Sequence, residues 1–153
     1  MLRHLKNIQF LETTPFAQKC AIWVLDSGCS HHMTRCKSKF KTLKDFDGGF
    51  VRFGDNSGAY ITGRGSIMLN KDTPIRDVYF VEGLKHNLLS VSQICDSGYS
   101  ISFSDKGCFI KNGRDKVIAS SLRIGGNLYN LIDSIVQETS LINTCLMSQV
   151  EEN

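Results

Sequence analysis

The sequence predicts an all-β domain, a barrel of short strands with one short helix. Thirteen glycines against two prolines favour frequent turns over long helices. Apolar runs of four to eight residues recur along the chain, each bounded by turn residues. No internal repeat is present, and no apolar stretch reaches the ~20 residues that a membrane-spanning helix needs.

The elements follow in order. Ala21 to Leu25 is a fully apolar run of strand length carrying the β-formers Ile22, Trp23 and Val24. Gly48-Gly49 opens Phe50 to Phe53, and Gly54-Asp55-Asn56-Ser57-Gly58 is the strongest turn signal in the chain. Tyr60 to Thr62 continues beyond it, and Gly63-Arg64-Gly65 leads into Ser66 to Leu69. Asn70 to Pro74 forms another turn before Ile75 to Val81.

Asn87 is placed to cap the one helix, with Leu88, Val91 and Cys95 sharing a face and Gly98 as its stop. Strands resume with Tyr99 to Phe103 and Cys108 to Lys111. Asn112-Gly113 is a hairpin signal before Val117 to Ser121, and Gly125-Gly126 precedes Leu128 to Leu131. The expected organisation is a leader or linker over 1–19, the β domain over 20–131 and a tail over 132–153.

Composition narrows the partners. The net charge of +3 comes without a dense basic stripe, so nucleic acid is only weakly suggested and a membrane not at all. Arg35, Lys37, Lys39, Lys41 and Lys44 make a local basic run whose default role is a solvated face. The six cysteines include no Cys-x-x-Cys pair. The amino terminus is interrupted by charge, unlike a signal peptide, so reduced thiols in an intracellular protein are expected.

The chemistry points to Asp26-Ser27-Gly28, which hangs from the apolar run. A buried strand fixes the backbone of an aspartate, and a glycine two residues on lets another backbone approach closely. Two such carboxylates brought together cannot both ionise and share one proton. One then acts as general base on a water while the other, protonated, polarises the substrate carbonyl. As a bare tripeptide Asp-Ser-Gly is a common turn, and the preceding pentapeptide gives it weight.

Trp23-Val-Leu-Asp-Ser-Gly-Cys-Ser-His-His-Met-Thr34 resembles the protease region of copia-type LTR retrotransposon Gag-Pol polyproteins. The resemblance continues through Val51 to Ser57, Gly63 to Gly65, Val78 to Gln93 and Asn127 to Leu131, in the same order. It implies a retropepsin-like closed barrel, active as a homodimer, that cuts its parent polyprotein without metal or organic cofactor. By that resemblance Asp26 is catalytic, completed by Ser27 and Gly28. Phe53, Gly54, Asp55, Asn56, Ser57 and Gly58 belong to a substrate-binding flap, and Leu88, Leu89 and Ser90 back the active site. Ser90 stands where retroviral members usually carry glycine, and Cys29 where alanine is common.

The resemblance also implies a location in the cytoplasm or in virus-like particles, and zinc-binding segments upstream and downstream that the sequence does not contain. An excised domain or a degenerate fragment of an element is therefore expected. A second reading is a catalytically silent β-barrel that serves binding or assembly. A third, a zinc-stabilised nucleic-acid adaptor, rests on the lysines of the basic run and on Cys29, His31, His32 and Cys36, whose spacing fits no standard finger or knuckle. Asp96-Ser97-Gly98 repeats the triplet but follows a helical pattern, so a helix end is the better account. Asp55 is read as a turn-former, Trp23 as a core or interface anchor, and His31 as exposed.

Overall fold

A computed structural model describes residues 20–123 and 128–132. The expected leader, tail and Gly125-Gly126 turn lie outside the described residues, apart from Ile132. Twelve strands are described: β1 (Ile22–Asp26), β2 (His32–Thr34), β3 (Phe40–Asp45), β4 (Phe50–Arg52), β5 (Gly58–Tyr60), β6 (Gly63–Asn70), β7 (Thr73–Phe80), β8 (Asn87–Ser90), β9 (Ser100–Phe103), β10 (Gly107–Lys111), β11 (Val117–Arg123) and β12 (Tyr129–Ile132). A 3-10 turn occupies Lys37–Lys39, and one short α-helix, α1, occupies Val91–Asp96.

Ten strands form one sheet in the order β3-β6-β7-β2-β8-β1-β12-β11-β10-β9, and β4 and β5 form a separate hairpin. The main core draws Trp23 and Leu25 from β1, Ile67 and Leu69 from β6, Leu89 from β8, and Cys108 and Ile110 from β10. Strands far apart in sheet order thus share one interior, so the sheet curls on itself. The Asn70 amide at the end of β6 donates to the Ile118 carbonyl of β11 at 3.0 Å, a side-chain stitch across the curl.

The curl stops short of the closed barrel that the sequence predicts. The terminal strands β3 and β9 are not neighbours in the sheet. Both edges are largely exposed, and β3 carries Lys41 and Lys44 outward, a pattern that discourages edge pairing. The basic run is accordingly split between the 3-10 turn and this edge strand.

β1 sits in the middle of the sheet, antiparallel to β12 and parallel to β8. Its two faces are both covered, which is why its sequence is apolar throughout. Trp23 and Leu25 enter the main core, while Ile22 and Val24 join Leu128 on the opposite face. Trp23 is fully buried, and loss of a core tryptophan typically costs about 3–5 kcal/mol.

The predicted helix begins too early. Asn87, Leu88 and Leu89 run beside Trp23, Val24 and Leu25 in a parallel ladder, and the helix starts only at Val91. Leu89, fully buried, gains more from the core than a helix turn would offer. Ser90, not Asn87, caps the helix, its hydroxyl accepting from the Gln93 amide. Cys95 is exposed, off the packed face. Gly98 follows with φ +91, as the stop signal requires, and Asp96-Ser97-Gly98 is indeed a helix end.

Asn87 instead serves as a buried cross-brace. Its side-chain oxygen accepts from the Thr34 hydroxyl at 2.7 Å. Its amide nitrogen donates to the Cys20 and Ile22 carbonyls, both at 3.2 Å. The Thr34 oxygen in turn accepts from the Cys36 amide at 3.0 Å. One side chain thereby joins the start of β1, the end of β2 and the start of β8.

The cysteine expectation is corrected at the same point. Cys20 and Cys36 form a disulfide with Cα atoms 5.8 Å apart. Cys29, Cys95 and Cys108 are free thiols. The pairing depends on β1 and β2 flanking β8, a tertiary arrangement that cysteine spacing does not encode.

Replacing Asn87 with leucine leaves the Thr34 hydroxyl, the buried Ile22 carbonyl and the part-buried Cys20 carbonyl without this partner. The substitution is expected to destabilise the domain by about 2–4 kcal/mol, read as a lower urea midpoint at unchanged slope. A midpoint equal to that of the wild type would remove the brace from the account of stability.

Candidate functional site

Asp26 ends β1 as the chain leaves the core, and it is half-buried while Ser27 and Gly28 are exposed. Its carboxylate oxygen Oδ1 accepts from the Gly28 amide at 2.7 Å, closing a tight local turn. A Cβ at Gly28 would lie 3.2 Å from that oxygen, so glycine leaves the carboxylate room at the mouth of the turn. The other carboxylate oxygen has no recorded partner among the described residues.

The loop is held from beneath by Ser90. Asp26 and Ser90 are register partners at the ends of parallel strands β1 and β8. The Ser90 hydroxyl donates to the Cys29 carbonyl at 2.7 Å and lies 3.0 Å from the Ser92 hydroxyl. The Cys29 thiol donates to the Asp26 carbonyl at 3.6 Å. Burial, reinforced by the Asp26 carboxylate, pushes the Cys29 thiol up to about 11. It is therefore a protonated hydrogen-bond donor near neutral pH and not a nucleophile. The structure thus brings Leu88, Leu89 and Ser90 alongside the strand and loop of the triplet.

His32, on β2, is buried behind this loop. Its Nδ1 accepts from the Ser90 amide at 2.9 Å, and its own amide donates to the Gln93 side-chain oxygen at 2.8 Å. Gln93 continues outward, its side-chain nitrogen donating to the Asp77 carbonyl at 3.0 Å. Burial, with His31 adjacent, lowers His32 to about 4, so it stands neutral as an acceptor.

Asp77 stands at a bulge where β7 carries two residues against one on β6, and its φ is +62. The bulge directs its carboxylate to Arg64, and His31 Nε2 lies 4.0 Å away. His31 stacks on Tyr79 with ring centres 4.3 Å apart, and is partly covered rather than freely exposed.

The four suggested metal ligands serve separate purposes. Cys36 is in the disulfide, His32 binds the Ser90 amide, His31 stacks on Tyr79, and Cys29 donates to Asp26. Among the described residues no group of three or more His, Cys, Asp or Glu is placed to hold a metal.

The expected flap residues form the tip of the β4–β5 hairpin. Val51 pairs with Ala59 and Arg52 with Gly58, and the Phe53 amide donates to the Ser57 carbonyl at 2.8 Å. Gly58 is required here because a Cβ would strike the Phe50 ring at 2.5 Å. Asn56 has φ +66, and the Asp55 carboxylate accepts from the Ser57 amide at 3.1 Å, as a turn-former does. Lys85 pairs with Asp55 and, with Ser57, holds its carboxyl well below the usual range. This pair fastens the tip to the loop between β7 and β8. Val51, Phe53 and Ala59 pack against Met33, Ile61, Val81 and Leu84.

Asn87, His32, Thr34 and Gln93 were not legible as site-supporting residues. The hydrogen bonds that Asn87 and His32 make across the sheet reach partners 53 to 67 residues away. The available signal was a polar residue set in an apolar strand, at Asn87 before Leu88-Leu89.

Residues 23–99, just over half of the chain, match the family described as Pol polyprotein, beta-barrel domain, and the chain belongs to it. It is also similar to the Retrovirus-related Pol polyprotein from transposon TNT 1-94 of Nicotiana tabacum, 30% identical over 119 residues covering 75% of this chain. The Retrovirus-related Pol polyprotein from transposon RE1 of Arabidopsis thaliana is 33% identical over 86 residues, 53% of this chain. The chain spans 9% and 6% of these two relatives.

Two outcomes test the site's electrostatics. Below pH 6.5 unfolded His32 takes up a proton that the folded side chain refuses until about pH 4. The unfolded state then binds more protons, so stability falls as pH drops across this window, by about 3 kcal/mol. Urea midpoints should show this loss in the wild type and a shallower one in His32→Gln; parallel profiles would refute it. Iodoacetamide should modify exposed Cys95 at least ~10-fold faster than Cys29 at mildly alkaline pH, as mass mapping can check.

Proposed function

We propose that this Pol β-domain is one half of a copia-type aspartic endopeptidase. The observation that carries the reading is the delivery of Asp26 by a buried central strand to an exposed turn. There Gly28 binds one carboxylate oxygen and Ser90 supports the loop. Such rigidity is what a carboxylate needs to hold a water in place.

One chain supplies one Asp26, so the chemistry requires an isologous dimer. In it the two carboxylates share a proton. The ionised one removes a proton from the bound water, which attacks the peptide carbonyl, and the protonated one donates to the developing oxyanion. The substrate is an extended polypeptide, the parent polyprotein in the first instance. The β4–β5 hairpin, from Phe53 to Gly58, covers it and excludes water. The setting is intracellular, in the cytoplasm or in virus-like particles. The rival, a catalytically silent module for binding or assembly, differs only in whether the triplet turns over.

Peptide cleavage by wild type and Asp26→Asn, from acidic to neutral pH, separates the two. The wild type should give a bell-shaped profile, and the variant should lose at least about 100-fold. Equal activity in both proteins, or none in a wild type shown to be dimeric by sedimentation, would favour the silent module.

A further inference from the structure

The Cys20–Cys36 disulfide closes a loop of the chain that contains all of β1, the Asp26-Ser27-Gly28 turn and β2. In the sheet β1 and β2 lie on either side of β8, β1 parallel to it and β2 antiparallel. The start of β1 and the end of β2 therefore meet at the Asn87 end of β8. The triplet and His32 lie at the opposite, Ser90 end. The disulfide is a clasp at the base of the lobe whose tip is the candidate site.

This clasp is not the only tie at that end. Asn87 binds the Cys20 carbonyl, and through the Thr34 hydroxyl reaches the Cys36 amide. The backbone positions of both cysteines are held whether or not their sulfurs are joined. The hydrophobic core is likewise assembled from strands outside this loop as well as within it. The fold can therefore survive opening of the disulfide, while the lobe loses a covalent restraint.

We propose that Cys20–Cys36 is a reversible thiol–disulfide site that sets the rigidity of the loop carrying Asp26. Its reagents are low-molecular-weight thiols and disulfides of the glutathione class. The half-buried Cys20 is the point of entry, because Cys36 is almost wholly buried at 1% exposure. A reagent thiolate attacks Cys20 Sγ and the protein S–S bond breaks. Its electron pair leaves on Cys36 Sγ, which takes a proton. A second thiol then attacks the mixed disulfide and releases Cys20 as thiol. The protein pair gains two electrons and two protons, and two reagent thiols become one disulfide. Glutathione disulfide drives the reverse.

Cys29 lies within the same loop and is the natural competitor for exchange. Its thiol is held protonated by burial and by Asp26, so it is a poor attacking group and the pairing stays with Cys20 and Cys36. The consequence for cleavage rests on the protease reading; the redox site itself does not.

The test equilibrates the full chain with glutathione buffers of graded ratio, then quenches by alkylation and maps the cysteines by mass. With the alkylation done under denaturing conditions, Cys20 and Cys36 should change together from disulfide-linked to alkylated, while exposed Cys95 carries either the alkyl group or a single glutathione, told apart by mass. The oxidised protein should melt at least about 5 °C higher than the reduced one. Amide exchange over 26–31 should be slower in the oxidised form. In Cys20→Ser/Cys36→Ser the dependence on buffer should vanish. If that variant does not fold, the wild-type titration alone decides. Alkylation of Cys20 and Cys36 at every ratio, or identical melting and exchange in both forms, would overturn the proposal. Cleavage sensitive to Asp26→Asn is scored separately, so failure of the protease reading leaves these readouts standing.

Discussion

The hydrogen bonds of Asn87 are the constraint on which the centre of this domain depends. A primary amide offers two donors and two acceptor sites, and here it spans β1, β2 and β8 from within the core. Burying so polar a group is costly unless its partners are met, and they come from two separate stretches of chain, the start of β1 and the end of β2. The result is a three-strand unit with one register. A slip of β1 against β8 by one residue would turn Trp23 and Leu25 away from the main core. It would also separate Asn87 from its carbonyls.

At the far end of the same strands a second polar cluster performs the complementary task. His32, Ser90 and Gln93 satisfy the backbone where β8 gives way to α1 and where the chain leaves Asp26. Ser90 has three roles: strand residue, helix cap and support of the Cys29 carbonyl. Glycine could occupy the backbone but would provide neither the cap nor the support. The serine noted as a departure from retroviral sequences therefore has a physical role in this chain.

Rigidity is distributed unevenly as a result. The Asp26 turn is backed by the part-buried Ser90–Cys29 bond and the buried Ser90–His32 bond, whereas the hairpin tip is fastened by an exposed ion pair, Asp55 with Lys85. Exposed pairs of this kind contribute little and weaken with salt. Such a division, a firm carboxylate and a weakly fastened hairpin, is what the proposed cleavage of an extended chain would require.

Much of this was legible in the sequence. The apolar run fixed β1, the glycine-rich turns fixed the β4–β5 hairpin and the later ladder, and Gly98 marked the helix end, because these signals act over a few residues. The Asp26-Ser27-Gly28 turn was also legible, since its geometry is local to three residues. Three strands were not. β2 and β3 were not assigned as strands, the first holding a candidate metal ligand, His32, and the second reading as a charge run, and β8 read as helix, because their conformation is chosen by neighbours in the sheet. The Cys20–Cys36 bond, the neutral His32 and the open curl of the sheet were likewise beyond sequence. Each depends on which strands lie side by side, and burial against distant partners outweighs local propensity there. The sequence by itself determined what could stand at the tip of β1; tertiary packing alone decided what holds it there.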